Sequence, residues 1–81
     1  MKKNIIFGAN NTAKYFLNYN KNISSDFFVD NDESIKSFFG KKVYNFSSFI
    51  KKKLDVNIIV CSTQFYNIFL QLVKFYKKKK Y

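Results

Sequence analysis

Eighty-one residues allow one domain at most, near the small end of what folds without disulfides or metals. Fifteen lysines against five acidic residues give a net charge of +10, and the 47% hydrophobic, 21% aromatic composition excludes a disordered chain. One cysteine and no histidine exclude an intramolecular disulfide and a Cys/His zinc site.

Asn4 to Phe7 is a short β-prone run that ends in Gly8. Apolar residues then return at Ala13, Phe16 and Leu17, a helical spacing that Thr12 or Asn11 would cap. After the polar exit Asn18 to Asn22, Phe27-Phe28-Val29 predicts a second buried strand, stopped by Asp30-Asn31-Asp32-Glu33. Ser34 to Phe39 is expected to form one helical turn or a loop closed by Gly40. Val43-Tyr44 follows as a short edge strand, and Ser47 or Ser48 is a cap for a small helix through Ile50 to Lys53.

Val56 to Cys61 is the clearest strand, apolar apart from Asn57, as a parallel strand covered on both faces would be. Phe65, Ile68, Phe69, Leu72 and Tyr76 form the apolar stripe of a long last helix. Its Lys77 to Lys80 end suits the negative end of the helix dipole. Strands alternating with helices predict a parallel sheet of about four strands in the order 3-2-1-4, within a small three-layer α/β domain.

No apolar run approaches the ~20 residues of a membrane span. Ile5-Ile6-Phe7 is too short for the core of a signal peptide, so a cytoplasmic protein is expected. The sequons at Asn10, Asn22 and Asn45 are then by-products of an Asn-rich chain. Lys, Asn, Phe, Tyr and Ile dominate while Arg, Pro, Trp and His are absent, the composition of an AT-rich genome. Basicity without arginine disfavours a dedicated nucleic-acid reader, which relies on the forked guanidinium. Lys51 to Lys53 and Lys77 to Lys80 nevertheless keep a binder of nucleic acid or anionic membrane as one reading.

The chemistry-bearing segment is Asn4-Ile5-Ile6-Phe7-Gly8-Ala9-Asn10-Asn11-Thr12-Ala13: a strand, a Gly-led turn and a helix start. A turn of this kind aims helix N–H groups and the positive dipole at a phosphate. Gly8 takes the first position of G-x-G-x-x-G/A and Ala13 the last, while Asn10 stands at the middle position and narrows the approach of a pyrophosphate. The pattern also asks for an acid about 20 residues on, at the end of the next strand. Asp30 lies 22 residues after Gly8, directly behind Phe27-Phe28-Val29.

Structural roles compete for each residue. Gly8 equally serves the strand-to-helix turn, and Asp30 and Asp32 equally form a turn that caps the segment from Ser34. Capping the last helix explains Ser62 and Thr63 better than a ligand contact does, and Cys61 fits a buried structural thiol better than a reactive one. Tyr76 to Lys80 matches a Y-x-x-x-K dehydrogenase pattern, as any tyrosine before four lysines would.

The blocks Ile5-Ile6-Phe7-Gly8-Ala9-Asn10, Phe28-Val29-Asp30-Asn31-Asp32, Gly40-Lys41-Lys42-Val43-Tyr44 and Ile58-Ile59-Val60-Cys61-Ser62 resemble a Rossmann-like domain of bacterial surface-polysaccharide enzymes. Such domains open sugar-nucleotide dehydratase/epimerase relatives and sialic-acid O-acyltransferase-like proteins, and are joined to FkbM-type methyltransferases. The family usually has glycine where this chain has Asn10.

The resemblance implies a partial Rossmann-like module over residues 1–81, a fragment or remnant of a larger enzyme whose catalytic parts lie in a following domain. It implies a nucleotide sugar or NAD(P) as ligand, with Gly8, Ala9, Asn10 and Asn11 at the phosphate, Asp30 at the ribose and Ser62 in the cleft, and with Thr12, Ala13 and Asn31 completing the binding set. The module would be non-catalytic alone and would serve a catalytic partner domain. A fold that has lost its ligand and acts as a structural or homodimerising module is the alternative.

Overall fold

The computed structural model describes residues 3–78. Eight elements follow one another: β1 (Lys3–Phe7), α1 (Asn11–Tyr19), β2 (Phe28–Val29), β3 (Ser37–Phe38), β4 (Lys41–Tyr44), α2 (Phe46–Lys51), β5 (Val56–Val60) and α3 (Phe65–Lys78). The result is a mixed α/β domain with a five-stranded sheet in the order β3-β4-β2-β1-β5. β1 pairs in parallel with β2 and β5, and β2 in parallel with β4, whereas β3 runs antiparallel to β4.

The expectation of a purely parallel four-stranded sheet in the order 3-2-1-4 is therefore corrected. The segment expected to form a helical turn or loop instead supplies β3, which covers β4, so Val43-Tyr44 is not at the edge. Phe39 and Gly40 connect the two strands with φ of +52° and +70°. Positive φ at both central residues is what a two-residue type I′ hairpin requires, since only that turn follows the twist of the strands.

Successive side chains of β1 face opposite sides, and each side has its own core. Ile5 and Phe7 join Val29, Phe49, Ile68 and Leu72 on the side of α2 and α3. Ile6 joins Phe28, Val43, Ala13 and Cys61 on the side of α1. Helices on both faces thus bury Ile5, Ile6 and Phe7 of β1, as a central parallel strand needs.

β5 differs from that pattern: Val56, Ile58, Ile59 and Val60 are only half-buried, because the strand stands at the end of the sheet. The α3 stripe also divides. Ile68 and Leu72 are buried and Tyr76 packs behind them, but Phe65 and Phe69 lie exposed. The helix is apolar around more than half its circumference, so periodicity alone does not decide which part faces the sheet. Lys79 and Lys80, the latter also the last position of the Y-x-x-x-K match, lie outside the described residues. Among the described residues, no helix is long and apolar enough to cross a membrane.

Two caps also differ from expectation. Asn10, not Asn11 or Thr12, caps α1, because its extended φ of −152° lets Oδ1 accept from the Ala13 amide. Asn45, not Ser47 or Ser48, caps α2, with its Oδ1 accepting from the Ser48 amide.

Candidate functional site

The carboxyl ends of the four parallel strands lie along one edge of the sheet and place Gly8, Asp30, Asn45 and Cys61 side by side. Gly8 adopts φ +132°, and a Cβ built on it would stand 2.1 Å from the Cys61 carbonyl oxygen. The glycine therefore lets the β1–α1 turn lie against the end of β5, and its amide is spent on the Val29 carbonyl at 2.7 Å. Both roles are structural.

Asp30, at the end of β2, is tied into the same turn. Its Oδ2 accepts from the Ala9 amide at 2.7 Å and its Oδ1 from the Asp32 amide at 2.8 Å. Asp30 also donates its own amide to the Tyr44 carbonyl at 3.0 Å, which links β2 to β4. Each carboxylate oxygen keeps one lone pair beyond these bonds. Asp32 accepts from both the amide and the hydroxyl of Ser34, and these bonds hold its carboxyl below the ordinary value of 3.8. The expected Asx turn is thus present, but no helix follows it.

At the start of α1 the amide of Ala13 goes to Asn10 Oδ1 at 3.1 Å. The Ala13 methyl is buried between helix and sheet and does not face the edge. Asn11 and Thr12 are exposed, and their amides have no acceptor within the helix because they open it. They are the donors that the turn offers to an anion. Ser62 is half-buried and its Oγ accepts from the Gln64 amide at 3.0 Å, which makes it part of the entry to α3. Cys61 is buried, and burial pushes its thiol above the ordinary 9.0.

Asn31 pairs with Gln71 in a reciprocal amide–amide contact, at 3.0 and 3.1 Å. That pair, which anchors α3 to the end of β2, joins residues 40 apart in sequence and has no local signature. A second feature outside the expected set is a cavity of about 280 Å³ along β4, whose walls include Glu33, Lys36, Lys42, Tyr44 and Lys52. The ammonium groups of Lys42 and Lys52 lie 4.9 and 4.3 Å from the centre of the Tyr44 ring. The alternation Lys42-x-Tyr44 on one strand is the signal that places these two side chains on one face.

The edge therefore brings together Ala9, Asn10, Asn11, Thr12 and Asp30, while Gly8, Ala13, Asn31 and Ser62 are engaged in holding the frame. No family profile, curated protein or solved structure matches this chain.

Proposed function

We propose that this chain is a Rossmann-like binding module for a nucleotide or nucleotide sugar, related to surface-polysaccharide biosynthesis and non-catalytic alone. The hydrogen bond from the Ala9 amide to Asp30 Oδ2 is the observation that carries the reading. It puts the Asp30 carboxylate beside the helix start, with lone pairs left for a ribose hydroxyl.

The diphosphate takes the exposed first-turn amides of Asn11 and Thr12, where the helix dipole favours negative charge. The ribose sits at Asp30. The remainder of the ligand lies along the edge toward Tyr44, where Lys36, Lys42 and Lys52 supply positive charge against Glu33. With Gly8 filled by the Cys61 carbonyl, close approach of the phosphate depends on Asn10. The chain has no histidine and only five carboxylates, so the module holds a ligand for chemistry supplied by a partner domain.

Amide chemical-shift mapping against uridine, guanosine and adenine dinucleotide ligands tests the proposal. Saturable shifts at Asn10 to Thr12 and Asp30 are expected. Unchanged shifts there at ligand concentrations of about 10 mM, well beyond the ~1 mM affinity of the weakest specific binders, would overturn it.

A further inference from the structure

The two edges of the sheet are treated differently. β3 is two residues long and is flanked by Lys36, Lys41 and Lys42, so it offers little to a neighbouring strand. β5 is five residues long, Val56-Asn57-Ile58-Ile59-Val60, with neither charge nor proline. Nothing in its composition blunts it. The Cys61 amide donates to the Phe7 carbonyl, toward β1. Because successive peptide groups of a strand alternate in direction, the N–H and C=O groups of Val56, Ile58 and Val60 point outward from the sheet.

The helix above this edge is apolar on its outer side as well. Phe65, Tyr66, Phe69, Leu70 and Val73 are between 40% and 63% exposed. At about 100° per residue they occupy one arc of about 140°. Gln71, bonded to Asn31, and Phe75, packed on Phe46, mark the flank of α3 that faces the sheet's middle. The exposed arc is the opposite flank, on the side of β5 that has no neighbouring strand among the described residues.

We infer that β5 and this arc of α3 form a self-association surface, with a second copy of the chain as its occupant. A twofold axis perpendicular to the sheet pairs β5 with itself in antiparallel fashion. Ile58 then faces Ile58 of the second copy and Val56 faces Val60, which satisfies the outward backbone groups of all three residues. The same axis sets the two α3 helices antiparallel on one face of a continuous sheet. The exposed part of the five side chains, at about 100 Å² each, supplies about 500 Å² per copy. Together with the strand edge this approaches the roughly 800 Å² per partner of a stable interface.

Charge argues for the antiparallel arrangement. Residues 56–81 contain no acid, and the five lysines among them follow Leu72. Antiparallel α3 helices keep the two lysine-rich ends apart. A surface whose unpaired backbone must be satisfied is a poor fit to lipid, where no partner for those groups exists.

Analytical ultracentrifugation of the chain is expected to give a dimer with a dissociation constant of about 10 μM or tighter, as interfaces of this size reach. Added salt strengthens it by screening the like charges, whereas binding to a polyanion or anionic vesicle weakens with salt. The double substitution Phe69→Lys and Leu70→Lys is expected to weaken the dimer about tenfold or more, while Tyr19→Lys on the other face leaves it unchanged. Hydrogen exchange adds a residue-level readout: the amides of Ile58 and Val60 slow in the wild type and not in the double variant. A wild type that stays monomeric, a dimer unaffected by the double substitution, or fast exchange at Ile58 and Val60 within the dimer would each overturn the inference.

Discussion

Asp30 accepts the amide proton of Ala9 through Oδ2 at 2.7 Å, so the turn after the first strand is fastened to the end of the second. The other oxygen fastens the following turn by accepting from Asp32. Hydrogen bonds to a charged acceptor contribute about 1.5–3 kcal/mol when not fully solvated, and Asp30 is half-buried. Asp30→Asn is therefore expected to lower unfolding stability by about 1–2 kcal/mol, read from the urea midpoint at unchanged slope. A loss under about 0.5 kcal/mol, the range of an ordinary surface substitution, would show that the carboxylate does not hold the turn.

The two glycines differ in why they are needed, and the difference is measurable. Gly8→Ala places a methyl 2.1 Å from a backbone oxygen that cannot move without disturbing β5. It is expected to prevent folding. Gly40 has open space around its missing Cβ, so Gly40→Ala meets only the strain of positive φ, about 1–2 kcal/mol. The reverse change is informative at Lys53, which adopts φ +51° just after α2, where glycine usually closes a helix. Lys53→Gly is expected to raise stability by about 1 kcal/mol in the same urea titration.

How much of this arrangement is legible in the sequence depends on how local its cause is. β1, the Gly8 turn, α1 and the Phe28-Val29-Asp30 stop are visible because a short apolar run, a glycine and a helical spacing are contiguous. β3 is hidden because Phe39 occupies the hairpin position where Asn or Asp would announce a type I′ turn. The cap of α1 is ambiguous because Asn10, Asn11 and Thr12 are all competent, and only backbone geometry chooses Asn10. The Asn31–Gln71 pair and the outward arc of α3 are set by how elements pack together. No short window of sequence contains that information.

Asn10 links stability to the proposed ligand site. Its Oδ1 caps α1, so Asn10→Ala is expected to destabilise the chain by about 1 kcal/mol. Asn10→Gly costs only a few tenths of a kcal/mol, because glycine is itself a tolerated cap. It also removes the side chain that narrows the approach to the Asn11 and Thr12 amides. The glycine variant is therefore expected to bind nucleotide diphosphates more tightly than the wild type in chemical-shift titrations. Equal or weaker binding would place the phosphate elsewhere.

Cys61 is buried with only 4% of its surface exposed, and burial favours the neutral thiol. The folded chain should therefore react with a disulfide reagent at neutral pH more than tenfold slower than the urea-unfolded chain, because only the thiolate attacks. The sign of the pH effect follows. A thiol pushed upward in the fold contributes stability that is complete below its unfolded value of 9.0 and is lost as pH rises past it. Equal reaction rates in the folded and unfolded chain would mean that the end of β5 opens readily.

Among the described residues Ser25 is the one buried polar residue, and its hydroxyl caps the pairing of β1 and β2 at the Ile6 amide. It accepts from the Ile6 amide at 3.0 Å and donates to the Phe27 carbonyl. β2 contributes only two residues to the ladder, and although the Asn4 carbonyl accepts from the Asp26 amide, the Ile6 amide would lack a partner without this side chain. Ser25→Ala orphans a buried amide and is expected to cost about 1–3 kcal/mol. Ser25→Thr keeps the hydroxyl but adds a methyl in a site that is 2% exposed, so it should recover only part of that loss. Comparing the two in urea separates the hydrogen bond from the packing, and an alanine variant as stable as the wild type would show that water replaces the hydroxyl at the Ile6 amide.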